Sequence, residues 1–192
     1  YKPVQKQFAL GGNAGAYASS TDGGFGLAWV QQIEDPAMAR WAVSTNYVSK
    51  DARKSSNKDG MFGDTQAKWL TKVEYGSPRW QVSFAVAENI CDDSSNSGLT
   101  PSCTNWASYY STDKGNNVNG DSTAYALRGY WKPEDTGVIP EISLGFDWVN
   151  VDNQSDDDGD IEEAAAWMAG LTWKDAMIEG NRLAFAFGQP QR

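Results

Sequence analysis

The stretch AKWLTKVEYGSPRWQVSFAVAE, from Ala67 to Glu88, alternates with a period of two on both sides of its centre. Trp69, Thr71, Val73 and Tyr75 fall on one face, and Lys68, Leu70, Lys72 and Glu74 fall on the other. After GSPR the count restarts with Trp80, Val82, Phe84 and Val86 against Gln81, Ser83, Ala85 and Ala87. A two-residue period across a tight turn predicts a β-hairpin. One face is bulky and apolar; the other mixes charge with Ala and Ser. In a soluble sandwich the bulky face is the core. In a membrane barrel the bulky face meets lipid and the mixed face lines a wet interior.

Composition narrows the function classes. The chain has 192 residues, enough for one domain with a substantial core. Its formal net charge of −9 argues against nucleic acid as a partner. Histidine is absent, which removes the commonest general base and metal ligand. No apolar run reaches the roughly 20 residues of a membrane helix. That does not bear on a barrel, whose strands are half polar. No signal peptide is evident, and neither YKPVQ nor GQPQR reads as a natural terminus, so a longer parent protein is expected. Cys91 and Cys103 lie in one polar stretch without a further Cys or a His. Zinc is therefore not expected; a disulfide closing a loop in an oxidising compartment is.

Eight segments carry the alternation: 25–33, 39–49, the two arms of the hairpin, 122–131, 141–150, 164–173 and 182–188. The connections alternate in length. EDPA, GSPR, 132–140 and 174–181 are short; KDARKSSNKDGMFG, 89–121 and VDNQSDDDGDIEE are long. An up-and-down membrane barrel has short turns at one end and long loops at the other, and a Greek-key sandwich has no reason for that order. On the bulky face Trp41, Tyr75, Trp80, Trp131 and Trp173 all adjoin short turns, while Tyr47 and Trp148 lie near the other end. Aromatic rings favour the headgroup level, so two girdles are expected. The opposite parity holds Arg40, Gln66, Lys68, Lys72, Glu74, Gln81, Arg128, Glu141, Asp147 and Arg182 as candidate pore-lining residues, spaced by Ala and Gly. The basic members outnumber the acidic ones, which predicts a mildly cationic lining. Gln31 falls on the bulky face and Val48, Leu70 and Met168 on the small one, against the pattern.

Other motifs carry little. In QSDDDGDIEEAA the first position of a calcium loop would be Gln154 and the twelfth Ala165, so the required carboxylates are missing. GGNAG and DGGFG lack the Lys-Ser/Thr of a phosphate cradle. No nucleophile, base and orienting group fall together, so no enzyme activity, cofactor or metal is expected.

FALGGNAGAY near the start and WMAGLTWKDAMIEGNRLAFAFGQPQ at the end resemble the cyanobacterial outer-membrane porins that carry an S-layer-homology domain. These belong to the carbohydrate-selective porin family and are also described as iron-uptake porins. The likeness extends over essentially the whole chain. The family's signal peptide, its S-layer-homology domain with a peptidoglycan role, and its last strand ending in an aromatic residue are not in this sequence. The resemblance implies an all-β, antiparallel up-and-down transmembrane barrel of about 16 strands, of which residues 1–192 are roughly half, as one domain. It implies a homotrimer in the outer membrane of a Gram-negative-type cell, passing small hydrophilic solutes, carbohydrate or inorganic ions. Two other readings compete: a secreted carbohydrate-binding β-sandwich, and an outer-membrane receptor whose loops matter more than its pore.

Overall fold

The computed structural model describes residues 23–49, 52, 60–62, 67–90, 121–134, 138–152 and 163–189. Eight strands run β1 Gly24–Val30, β2 Arg40–Ser49, β3 Ala67–Ser77, β4 Trp80–Ile90, β5 Asp121–Trp131, β6 Glu141–Asp152, β7 Glu163–Lys174 and β8 Arg182–Gln189. They form one antiparallel sheet in chain order, each strand paired with its sequence neighbours. No helix occurs among the described residues. The expected segments and strand order are therefore present. The sheet is open: β1 and β8 are its two edges, and every residue of β1 is exposed.

Each strand forms where Val, Ile, Thr and aromatic side chains recur at every second position, the pattern that packs well on a pleated surface. The central hairpin is tighter than GSPR suggests. Ser77 still pairs with Trp80, so only Pro78 and Arg79 make the turn. The Ser77 hydroxyl accepts the Arg79 amide at 3.2 Å. Gly76 permits this closure: a Cβ there would lie 2.3 Å from the Trp80 carbonyl oxygen and 2.5 Å from Gln81 Cα. Both are backbone atoms that cannot give way. Gly76→Ala is expected to destabilise the protein by about 1–3 kcal/mol through overpacking; an unchanged unfolding midpoint in denaturant would reject the close approach. β1 ends at Val30, short of the predicted Ile33, because Gln31 keeps one backbone bond, its amide donating to the Trp41 carbonyl at 2.9 Å, but not the return bond. Its side-chain oxygen instead accepts the Trp41 amide at 3.2 Å, which accounts for a polar residue at a bulky-face position.

Burial follows the two-residue period with an unusual sign. On β4, Ser83, Ala85, Ala87 and Asn89 are buried while Trp80, Val82 and Phe84 are exposed. On β5, Ser122, Ala124, Ala126 and Arg128 are buried while Leu127 and Trp131 are exposed. The same holds on β6, where Asp147 and Val149 are buried and Leu144, at 57 %, and Phe146 are exposed. Water-soluble sheets hide the bulky face. Here the small and charged face is the hidden one.

Candidate functional site: an inner charged face and two aromatic bands

Backbone pairing connects residues across the sheet in rows. One row runs Trp41, Tyr75, Val82, Gly129, Leu144, Ala169, Phe187. Beyond it, toward the short turns, β2 has one residue left, β3 and β5 two each, and β7 five. The line of short turns therefore climbs four residues across the five steps from β2 to β7. With a rise of about 3.3 Å per residue and strands about 4.8 Å apart, the strands lean roughly 30° from the normal to that line. Closed barrels require such a stagger, with a tilt of about 35–45°.

Measured from the short-turn end of each strand, the Trp and Tyr residues with bulky-face parity fall at two levels. Trp41, Tyr75, Trp80, Trp131 and Trp173 lie within two residues of that end. Tyr47, Trp69, Tyr125, Trp148 and Trp167 lie six to eight residues from it. Rings within a band touch. Trp41 and Tyr75 centroids are 4.5 Å apart and Tyr75 and Trp80 5.4 Å apart. At the second level Tyr47 meets Trp69 at 5.8 Å and Tyr125 stacks on Trp148 at 4.8 Å. Between the bands stand Val43, Val73, Phe84, Leu127, Leu144 and Phe146, all exposed. Two outward threonines stand at the edge of the second band. Thr45 and Thr71 bond each other at 3.1 Å, and the Trp69 indole donates to Thr45 at 2.6 Å. The bands stand roughly 20 Å apart along the strands and roughly 18 Å along the normal. Trp69, Tyr125 and Trp167 are additions to the expected second girdle. Tyr47 differs from its fellows in being buried, because Phe62 stacks on it at 5.4 Å.

The inner face carries the expected lining. Lys68, Arg128, Glu141 and Asp147 are buried, and Lys72, Glu74 and Gln81 half-buried. Arg40 and Arg182 are exposed near the short-turn end. Gln66, Cys91 and Cys103 lie outside the described residues. Each lining carboxylate has a cation beside it. Lys72 Nζ is 2.9 Å from Glu74 Oε2, and the Gln81 amide donates to Glu74 Oε1 at 2.6 Å. Arg128 Nη2 donates to Asp147 Oδ2 at 2.5 Å across two adjacent strands. Arg128 Nη1 also donates to the carbonyls of Leu127 and Phe146, each at 3.2 Å. Gly145 makes room for that guanidinium, since a Cβ there would lie 3.1 Å from Arg128 Nη1. Lys174 sits 2.5 Å from Glu141 and belongs to the lining although it ends a strand at a turn. One further step of alternation past Trp173 would have found it. Tyr130 is inward as well, with the Lys132 ammonium 4.8 Å from its ring centroid. Leu70, Val48 and Met168 do point to the small face, where Met168 packs at the side of Gly145.

Around these charges the wall is small. Ala85, Ala87, Ala124 and Ala126 alternate along β4 and β5 with no exposed surface. Among the described residues no group of three His, Cys, Asp or Glu side chains is placed to hold a metal ion. Comparison with protein-family models, with curated proteins and with solved structures found no match.

Proposed function

We propose that the chain forms part of the barrel wall of an outer-membrane porin, a passive channel for small hydrophilic solutes or ions. The observation that carries this is the inverted sheet: bulky apolar side chains are exposed between two aromatic bands, and paired charges and alanines form the hidden face. Lipid satisfies the first surface and a wet, partly filled lumen the second. The tilt and the order of short and long connections support the same reading. So does the resemblance to cyanobacterial porins, whose homotrimeric assembly and peptidoglycan attachment extend the proposal to the whole protein. An open eight-stranded sheet leaves two edges of unpaired backbone groups, which a bilayer does not tolerate. The proposal therefore requires further strands beside β1 and β8, giving a barrel of about 16 strands. A soluble carbohydrate-binding sandwich would need a second sheet on the bulky face, and the described residues place none there.

The lining sets what such a channel prefers. Lys72 and Arg128 each have a carboxylate neighbour, and Glu141 has Lys174, so the three lining carboxylates are each matched by one cation. Arg40 and Arg182 at the short-turn mouth, with Lys68 toward the other end, leave the described lining cationic by count. Charges in a confined pore act with little screening, whereas loop charges in open solvent fade within roughly 8–10 Å. Full-length protein in planar bilayers should give stepwise conductance, with weak anion preference in a salt gradient. Lys72→Glu places two carboxylates on one side of the lumen and should shift the reversal potential toward cations, by a barrier difference of about 1 kcal/mol or more. No channel activity in detergent-purified full-length protein would overturn the porin reading; conductance with selectivity unchanged by Lys72→Glu would remove Lys72 from the conducting path.

A further inference from the structure

Several apolar side chains in the short turns stand in the open. Val138 is 91 % exposed, Met177 93 % and Ile178 65 %, with Ile139 and Met38 also exposed. Surface loops usually carry Gly, Asn, Asp and Ser, and such apolar tips mark contact with something other than water.

The tips are held in place. In the β7–β8 turn the Asp175 amide donates to the Asn181 carbonyl at 2.7 Å, and the Gly180 amide to the Asp175 side chain at 2.7 Å. Asp175 and Met177 both have positive φ, 53° and 65°, a left-handed backbone that side-chain-bearing residues rarely adopt. Strained backbone of this kind persists where surrounding structure imposes it, and it clusters at functional contacts. Here it projects Met177 and Ile178 outward from a turn closed by its own hydrogen bonds.

The tips also adjoin the first aromatic band. The Trp173 indole donates to the Val138 carbonyl at 3.1 Å, which ties the β5–β6 turn to the bulky face of β7. The β5–β6 turn is tied in turn to the central hairpin: the Lys132 amide donates to the Arg79 carbonyl at 2.6 Å, and Arg79 pairs with Glu134. The apolar tip of the β5–β6 turn is thus continuous with the surface that the porin reading assigns to lipid.

We propose that Val138, Ile139, Met177 and Ile178 form a lipid-contacting rim, seated at the boundary of headgroups and acyl chains just beyond the first aromatic band. The occupant is the bilayer itself; the short-turn end is anchored in the membrane interface rather than held clear of it. This rests on the porin reading and adds a second, interfacial contact to it. Apolar residues on a structured polar backbone gain from that depth, as amphipathic interfacial segments do.

The test uses full-length protein with Cys91→Ser and Cys103→Ser, carrying a single fluorophore on Cys at Val138, Met177, Leu144 or Glu34. It is reconstituted in dioleoylphosphatidylcholine vesicles containing lipid with a nitroxide near the top of one acyl chain. Labels at Val138 and Met177 should be quenched by lipid nitroxide at least half as strongly as at Leu144, the mid-sheet reference. Quenching by aqueous iodide should be at least threefold weaker than at Glu34, an exposed polar turn position. Iodide quenching equal to that at Glu34 overturns the rim, and so does shielding from both quenchers, which would mean a protein contact. If the Leu144 label itself escapes lipid quenching, the membrane reading fails; if Leu144 is quenched and the turn labels are not, the rim alone fails.

Discussion

Asp147→Ala is expected to destabilise the protein by about 3–5 kcal/mol, the range for breaking a buried ion pair by removing one partner. The Arg128 and Asp147 side chains are 9 % and 6 % exposed, so the guanidinium left behind cannot recover its hydration by a simple rotamer change. It would retain the Leu127 and Phe146 carbonyls, which neutralise no charge. Replacing both partners, as in Arg128→Met with Asp147→Leu, should cost far less, because no uncompensated charge remains. The two variants therefore separate the cost of an orphaned charge from the worth of the pair. Thermal or denaturant unfolding of the reconstituted protein measures both. Should Asp147→Ala unfold like wild type, the pair is not desolvated and water reaches it freely. In conductance the same variant should move selectivity toward anions, since a lining cation loses its counter-charge. A structural role alone would not move that ratio.

What the sequence made legible is the facing of each residue, and what it left hidden is depth. Parity needs only the two-residue period, so Lys72, Glu74, Arg128 and Asp147 could be assigned to one face and Leu127 and Phe146 to the other without coordinates. Connection length likewise gave strand direction and the five aromatics beside short turns. Depth requires the register between strands, which arises from hydrogen-bond stagger and leaves no mark in a single strand. The sequence alone therefore does not assign Trp69, Tyr125 and Trp167 to a girdle, and the strand bounds place them six to eight residues from the short-turn end, level with Tyr47 and Trp148. The ion pairs were hidden for a related reason. Arg128 meets Asp147 because Leu127 pairs with Phe146 on the neighbouring strand, a relation between strands about 20 residues apart. Counting charges by face showed that basic residues outnumber acidic ones; register shows that Arg128 is matched by Asp147 across the strands and brings Lys174 to Glu141. The apolar turn tips were visible as letters, but turns are read for Gly, Pro and Asp, and Met177 at positive φ runs against the local preference.

Leu127→Arg and Leu144→Arg should each cost roughly 2–4 kcal/mol in the membrane-embedded protein, and Thr123→Arg about 0–1 kcal/mol. The three positions share the bulky face but not its depth. Leu127 lies four residues from the short-turn end of β5 and Leu144 three from that of β6, midway between the aromatic bands; Thr123 lies eight residues from that end of β5, at the outer margin of the second band. The gradient is what matters. A charge at mid-depth must thin the bilayer or drag water inward, whereas one at the margin reaches the headgroups along its own stem. In a soluble protein the same face is already exposed, Leu127 by 44 % and Leu144 by 57 %. Arginine there would be nearly neutral and would improve solubility. Lipid predicts a steep cost at two positions and almost none at the third, and water predicts little at any. Folding efficiency into vesicles and the unfolding midpoint of the three variants give the comparison. Equal costs at Thr123 and Leu127 would remove the depth frame, and with it the assignment of the two aromatic bands to two membrane interfaces.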